Sequence, residues 1–265
     1  MLEVKIFSFL THKFKAMAKL KGILKIEGTL QDMTFYKTQD GHLVKTKSGV
    51  SADRIANDPN FQRTRENGSE FGSAATAGKV LRNAVRTLMM NAADNRITSR
   101  LTQVMTQIKN YDTTSLRGDR TVAIGIVDPA ALALLIDFDF NDSAALGGVL
   151  FAPFTVTGAT GAIDIPAFTP INDISYPTGA THVSFKSAYA VVDFANETSA
   201  IEYSPVTNLP IDGTNTPVTL TPAAVPAGAG IKFYLILVEF FQEVNGVQYS
   251  LKNGSYNVLN IVDAA

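Results

Sequence analysis

The sequence predicts an α+β fold in two modules, and three observations lead there. Residues 21–47 alternate apolar and polar side chains between turn signals. Residues 71–111 carry apolar side chains at spacings of three and four, the period of helices with one buried face. From Thr121 onward, short apolar runs alternate with Gly, Pro, Asn, Thr and Ser, as in a domain of many short antiparallel strands. The expected architecture is a β-hairpin region plus two amphipathic helices over residues 17–120. An antiparallel, immunoglobulin-like β-sandwich is expected over 121–265. Residues 1–16 are expected to be a non-native or disordered extension.

In KGILKIEGTLQDMTFYKTQDGHLVKTK, Lys21 to Lys47, the apolar runs read as strands. Gly28-Thr29 and Gln39-Asp40-Gly41 read as turns, and Lys37, Lys45 and Lys47 fall on a solvated face. Asp58-Pro59 reads as a helix start, Asn67-Gly68 as its stop, and Ser69 as the cap of the next helix. That helix would bury Phe71, Ala74, Ala75, Gly78, Leu81, Val85, Leu88, Met89 and Ala92, and would end at Asp94-Asn95. A second helix, Arg96 to Tyr111, would turn Ile97, Leu101, Val104, Met105 and Ile108 inward. The expected strands are VLFAPFTV, GAIDIPAF, THVSFKSAYAVVDF, AIEYSPV, TPVTLTP, IKFYLILVEFFQEV, VQYSLKN and YNVLNIV. Asn245-Gly246 is the strongest hairpin signal in the chain. FYLILVEFF is shorter than the roughly 18 residues a membrane helix needs and reads as a buried strand.

Charge divides the chain more sharply than hydropathy does. Residues 1–120 hold 20 of the 23 Lys and Arg against 11 of the 24 Asp and Glu, a net of +9. Residues 121–265 hold 3 against 13, a net of −10. A basic half attracts polyanions or an acidic protein surface. The acidic half of a neighbouring copy is one such surface, which makes head-to-tail assembly physically reasonable. There is no cysteine, which excludes disulfides, thiolate metal sites and a cysteine nucleophile. In MLEVKIFSFLTHKFKA the apolar run IFSFL is too short for a signal-peptide core, which favours the cytoplasm. A start at Met17 is expected, the alternative being a basic amphipathic targeting segment.

No nucleophile–histidine–carboxylate arrangement stands out, and no phosphate loop, GxGxxG, GxSxG or HExxH occurs. No cofactor is expected, and the three histidines His12, His42 and His182 read as structural or surface residues. The carboxylate cluster is DFDFND. Asp137 and Asp139, alternating on a strand, would share a face and with Asp142 form a weak calcium candidate or an acid–base pair. The plainer reading is an edge strand whose Phe138 and Phe140 point inward. Arg63, Arg65, Lys79, Arg82, Arg86, Arg96 and Arg100 form a candidate basic interaction surface, for a protein or for nucleic acid. Phe61, Arg63, Arg65, Glu66 and Phe71 read as a structural corner, with buried phenylalanines and charge-assisted hydrogen bonds.

The elements GxLKxxGTL, TFYKTQDG, NDPNFQRTREN and EFGSAATAGK, followed by DFDFN, VLFAPF and PTGATHVSF, resemble a family of Bacteroidota proteins with no assigned function. The resemblance spans most of residues 17–190. It implies a bacterial origin and a start at Met17, and it carries over no catalytic or binding residue. The function expected from the residues is a non-enzymatic structural or protein-interaction protein. Self-assembly, as in a phage-derived virion or appendage subunit, fits that plan by fold-level analogy alone. The alternative is a nucleic-acid-binding protein using its basic half without sequence preference. A third reading is a glycan hydrolase acting through the DFDFND carboxylates.

Overall fold

A computed structural model describes residues 18–19, 26–39, 41–46, 50–251 and 254–265. Expectations for residues 1–16, Lys21 and Lys47 lie outside the described residues. The chain divides into two compact units, Met1–Gln62 and Arg63–Ala265.

In the first unit, β1 (Ala18–Lys19), β2 (Gly28–Leu30), β3 (Met33–Thr38) and β4 (Gly41–Thr46) form one antiparallel sheet in the order β1-β4-β3-β2. β3 and β4 pair up to Thr38 opposite Gly41, and Gly41 takes φ +112°, open to glycine at no steric cost; Asp40 of the expected turn lies outside the described residues. Helix α1 (Ala52–Asn57) starts where the Ser51 hydroxyl accepts from Arg54 N at 3.2 Å. Asp58 then accepts from Asn60 N and caps a 3-10 turn, Pro59–Phe61, with proline in its first position.

Helix α2 (Gln62–Ala84) leads into the second unit and runs unbroken through Asn67-Gly68, which the sequence marked as a stop. An isolated helical glycine costs only about 1 kcal/mol. Glu66 and Glu70 on either side are anchored to other elements, and this outweighs that cost. The break comes later, at Val85 (φ −101°, ψ 15°), before the short α3 (Arg86–Met89). Helix α4 (Ile97–Ile108) matches its expected span and ends in a 3-10 turn, Lys109–Tyr111. Its Ile97, Leu101, Met105 and Ile108 are buried.

Two short helices, α5 (Val122–Gly125) and α6 (Pro129–Leu132), lead to β5 (Phe138–Asp139). Then come α7 (Leu146–Val149), β6 (Thr155–Thr157), β7 (Ala162–Ile165) and α8 (Pro170–Asp173). VLFAPFTV, expected as one strand, is therefore the end of α7, a loop, and the start of β6. The remaining strands are β8 (His182–Asp193), β9 (Thr198–Tyr203), β10 (Thr207–Pro210), β11 (Val218–Leu220), β12 (Ile231–Val244), β13 (Val247–Ser250) and β14 (Val258–Ala264).

These strands build a large antiparallel sheet in the order β10-β8-β12-β14-β5, with β9 beside β8 and β13 beside β12. A smaller sheet runs β11-β7-β6. The period of two in β8 and β12 sorts the core. Ala188, Ala190 and Val192 with Phe233, Leu235 and Leu237 join one cluster with Leu81, Leu88, Leu101 and Met105 of the helices. Tyr189, Val191, Tyr234, Ile236 and Val238 join another with Ile163, Ile165, Val218 and Leu220 of the small sheet. The large sheet is thus sandwiched between helices and a second sheet. The fold is α+β with antiparallel sheets. The expected boundary after residue 120 passes through this unit, because charge reports the surface while the helices and sheet share a core.

Candidate interaction surface

Helices α2 and α4 bury their inner faces on the sheet and leave a groove between them on the other side. The helices come close at Gly78, where a Cβ would meet Leu101 and Met105 at 3.7 Å, an ordinary van der Waals contact. The groove, about 660 Å³, is walled by Phe71 and Ala75 of α2 and by Thr98, Thr102, Gln103 and Thr106 of α4, with no charged side chain. Phe71, expected to be buried, is 57% exposed at its rim. Two of the three threonine hydroxyls are turned away from polar use. Thr102 Oγ1 donates to Thr98 O at 2.7 Å and Thr106 Oγ1 to Thr102 O at 2.8 Å. Consumed by the helix's own carbonyls, the Thr102 and Thr106 hydroxyls leave methyl groups as the outward chemistry at those two positions. The spacing Thr98-Thr102-Thr106, every fourth residue, was legible as one helical stripe, but its polarity disguised it.

Carboxylates hold this pair of helices in place. The buried Glu70 pairs with the buried Lys109 Nζ, and its Oε1 accepts from Gly118 N at 2.8 Å. Hydrogen bonding from Lys109, then from Gly118, holds the Glu70 carboxyl below its ordinary value. One turn earlier, Glu66 accepts from Arg117 Nε at 2.7 Å and stands 3.5 Å from Arg63. The loop carrying Gly118 is organised by Asp112, 1% exposed. It accepts from Thr114 N, Ser115 N and Thr121 N at 2.9–3.1 Å. Burial pushes its carboxyl up, but bonds from Ser115, Thr121 and Thr114 outweigh that and hold it well below the usual range. At the start of α4, Arg100 donates to Asp94 at 2.5 Å and to Asp139 O at 2.8 Å, and lies 5.3 Å from the Phe138 ring centre. Burial raises Asp94 too, yet donors on Asp142, Arg100 and Arg96 leave it lowered.

The seven cations named from sequence do not meet as one array. Arg63 and Arg100 face carboxylates, Arg65 is half-buried, and Arg82 is half-buried with its guanidinium pulled down by desolvation. Lys79, Arg86 and Arg96 are exposed. The expected corner is likewise dispersed. Phe61 is half-buried in the first unit, with the Arg54 guanidinium 5.7 Å from its ring centre. Arg63, Arg65, Glu66 and Phe71 lie along the continuous α2.

The acidic cluster is pulled apart as well. Asp137 is exposed with φ +61°, so it does not alternate with Asp139 on a strand. Asp139 accepts from Leu146 N at 3.0 Å and from Asn260 at 2.8 Å, and burial raises its carboxyl. Asp142 contributes its N–H to Asp94. Phe138 and Phe140 both point inward and meet edge to face at 5.4 Å, as the plainer reading had it. Among the described residues no group of three or more His, Cys, Asp or Glu is placed to hold a metal ion. None of their helices is long and apolar enough to cross a membrane. The Glu70–Lys109 pair was not legible from sequence, because partners 39 residues apart leave no local pattern; Asp94 was read only as a helix break, and Asp112 only as part of a loop. Comparison with known proteins finds no match to this chain among protein-family models, curated sequences or solved structures.

Proposed function

We propose that the chain is a non-enzymatic structural or protein-interaction protein and that the α2–α4 groove is its docking surface. The supporting observation is the chemistry of that groove: an exposed Phe71 beside alanine and threonine methyls, with no acid, base or metal ligand in its walls. Exposed apolar surface of this kind, set on two rigid helices, suits the apolar face of a partner's amphipathic helix. Reading the paired sheets as an immunoglobulin-like sandwich is likewise our proposal, supported by the core they share.

The second reading, binding of nucleic acid, is favoured by one observation, the exposed Lys79, Arg86 and Arg96. The two separate in one experiment: size-exclusion chromatography with light scattering on the full chain, at low and high salt, with and without random duplex DNA. The interaction reading expects association that ignores DNA, and whatever part of it is made through the groove is lost in Phe71→Glu. A chain that stays monomeric until DNA is added, and then releases it with a log–log salt slope near −3.6 for about four phosphates, overturns that reading.

A further inference from the structure

At the far end of β12 the large sheet narrows to a hairpin. Pairing of β12 with β8 ends at Phe241↔His182, while β12 continues to Val244 and is accompanied by β13 alone. Asn245 (φ +54°) and Gly246 (φ +77°) make the two-residue turn that Asn-Gly favours. The hairpin is held from one side. Asn208 donates to the Gln248 side chain at 2.5 Å, Gln248 lies 3.4 Å from Glu243, and Glu243 lies 3.6 Å from the His182 ring. The opposite side carries Val244, Val247 and Tyr249, which are 47%, 51% and 58% exposed.

The outer edge of β13 pairs with no other named strand. Leu251 N donates to Phe240 O, so odd-numbered residues of this strand bond inward to β12. By alternation, the N–H and C=O of Gln248 and Ser250 point outward. The edge lacks the usual protection: Val247–Ser250 contains no Lys, no Pro and no bulge.

We infer that β13 is a self-pairing edge, and that its occupant is the β13 of a second copy, antiparallel across a two-fold axis. This rests on the reading of the chain as an interaction protein and adds a second surface, with a second copy as its occupant, to the groove. In one register Gln248 lies opposite the partner's Ser250, and both outward N–H and C=O groups of each strand are satisfied, giving four hydrogen bonds per pair. Tyr249 then sits on the axis opposite the partner's Tyr249, and Val247 opposite the partner's Leu251, which are favourable cross-strand pairs. Val244 to Leu251 carries no charge, so an edge that meets itself meets no like charge. An edge of four residues buries less than about 800 Å², so the dimer is weak, with a Kd of about 100 µM.

The test is sedimentation equilibrium of the full chain across that concentration range, at low salt and at about 1 M NaCl, which screens surface charge. Wild type, Ser250→Pro, Tyr249→Lys and Phe71→Glu are compared, each with a melting curve. Ser250→Pro removes two of the four hydrogen bonds without touching the β12 ladder and raises Kd about thirtyfold. Tyr249→Lys, an exposed position, sets like charges on the axis and gives monomer at low salt. The wild-type dimer persists at high salt. A wild type that is monomeric well above that Kd, or a dimer that dissolves in salt, or one that ignores both β13 variants, overturns the inference. If Phe71→Glu alone abolishes association, the inference falls while the interaction reading stands. Association only with added DNA removes both.

Discussion

Lys109→Met isolates the Glu70 carboxylate inside the protein. In the wild type the pair lies between α2 and the end of α4, with both residues less than a tenth exposed. Removing one partner of a buried pair costs about 3–5 kcal/mol, because the other charge is left without compensation. Here Glu70 keeps its bond from Gly118 N, so the lower end applies, about 3 kcal/mol. For a unit of this size that corresponds to a melting midpoint lowered by roughly 6–12 °C. The deficit depends on pH in a direction that can be worked out. The folded-state pKa of Glu70 is depressed, so the pair contributes stability above the ordinary glutamate value, and the contribution is lost as pH falls through the folded value. In Lys109→Met the same carboxyl protonates readily, so the gap between variant and wild type is widest near neutral pH and closes on acidification. Adding Glu70→Gln restores most of the midpoint, since the amide oxygen still accepts from Gly118 and no buried charge remains. Thermal melts by circular dichroism at several pH values measure all three proteins. A Lys109→Met midpoint within about 2 °C of wild type at neutral pH, or a double variant no better than the single one, refutes the reasoning.

Three further outcomes are expected. Asp112, Glu70 and Asp94 are all held below their ordinary values, so the melting midpoint falls as pH drops through the acid range. Asp112→Asn lowers neutral stability by about 3 kcal/mol and flattens that slope, as an acid titration of unfolding would read. Gly230→Ala places a Cβ 2.4 Å from Val192 O at φ +148° and costs roughly 3 kcal/mol, whereas Gly68→Ala, with nothing within 4 Å on α2, gains about 1 kcal/mol. Two midpoints that both fall would refute the Gly68 assignment, and two that both rise the Gly230 one. Phe71→Ser costs less than about 1 kcal/mol because the ring is mostly exposed. It weakens binding of an apolar fluorescent probe to the groove, and an unchanged titration would show that the probe binds elsewhere.

Much of the architecture was legible where periodicity was strong. IKFYLILVEFFQEV is β12 residue for residue, Asn245-Gly246 is its turn, and Arg96 to Tyr111 is α4 with its terminal 3-10 turn. Punctuation misled where tertiary contacts override it: Asn67-Gly68 stops nothing, because Glu66 and Glu70 bind Arg117, Lys109 and Gly118 on both sides of it. The groove was the least legible feature. Its ring, Phe71, shared the inner period of three and four and was placed in the core. Its Thr102 and Thr106 looked polar until their hydroxyls were seen bonded to carbonyls one turn back.

The charge split changes meaning once the compact units are known. Counted over Met1–Gln62, 10 Lys and Arg stand against 6 Asp and Glu, a net of +4; over Arg63–Ala265, 13 stand against 18, a net of −5. The difference from +9 and −10 arises because residues 63–120, with 10 basic and 5 acidic side chains, belong to the same unit as the acidic sheet. Inside that unit Glu66 faces Arg63 and Arg117, Glu70 faces Lys109, and Asp94 faces Arg100. Cations spent on internal carboxylates cannot also organise head-to-tail contacts between copies. Lys79, Arg86 and Arg96 stay exposed, so the two proposed uncharged surfaces, the Phe71 groove and the β13 edge, stand beside a remaining basic one, and contact through the uncharged pair is insensitive to salt. Salt dependence is therefore the property on which assembly by complementary charge and assembly by uncharged patches make opposite demands.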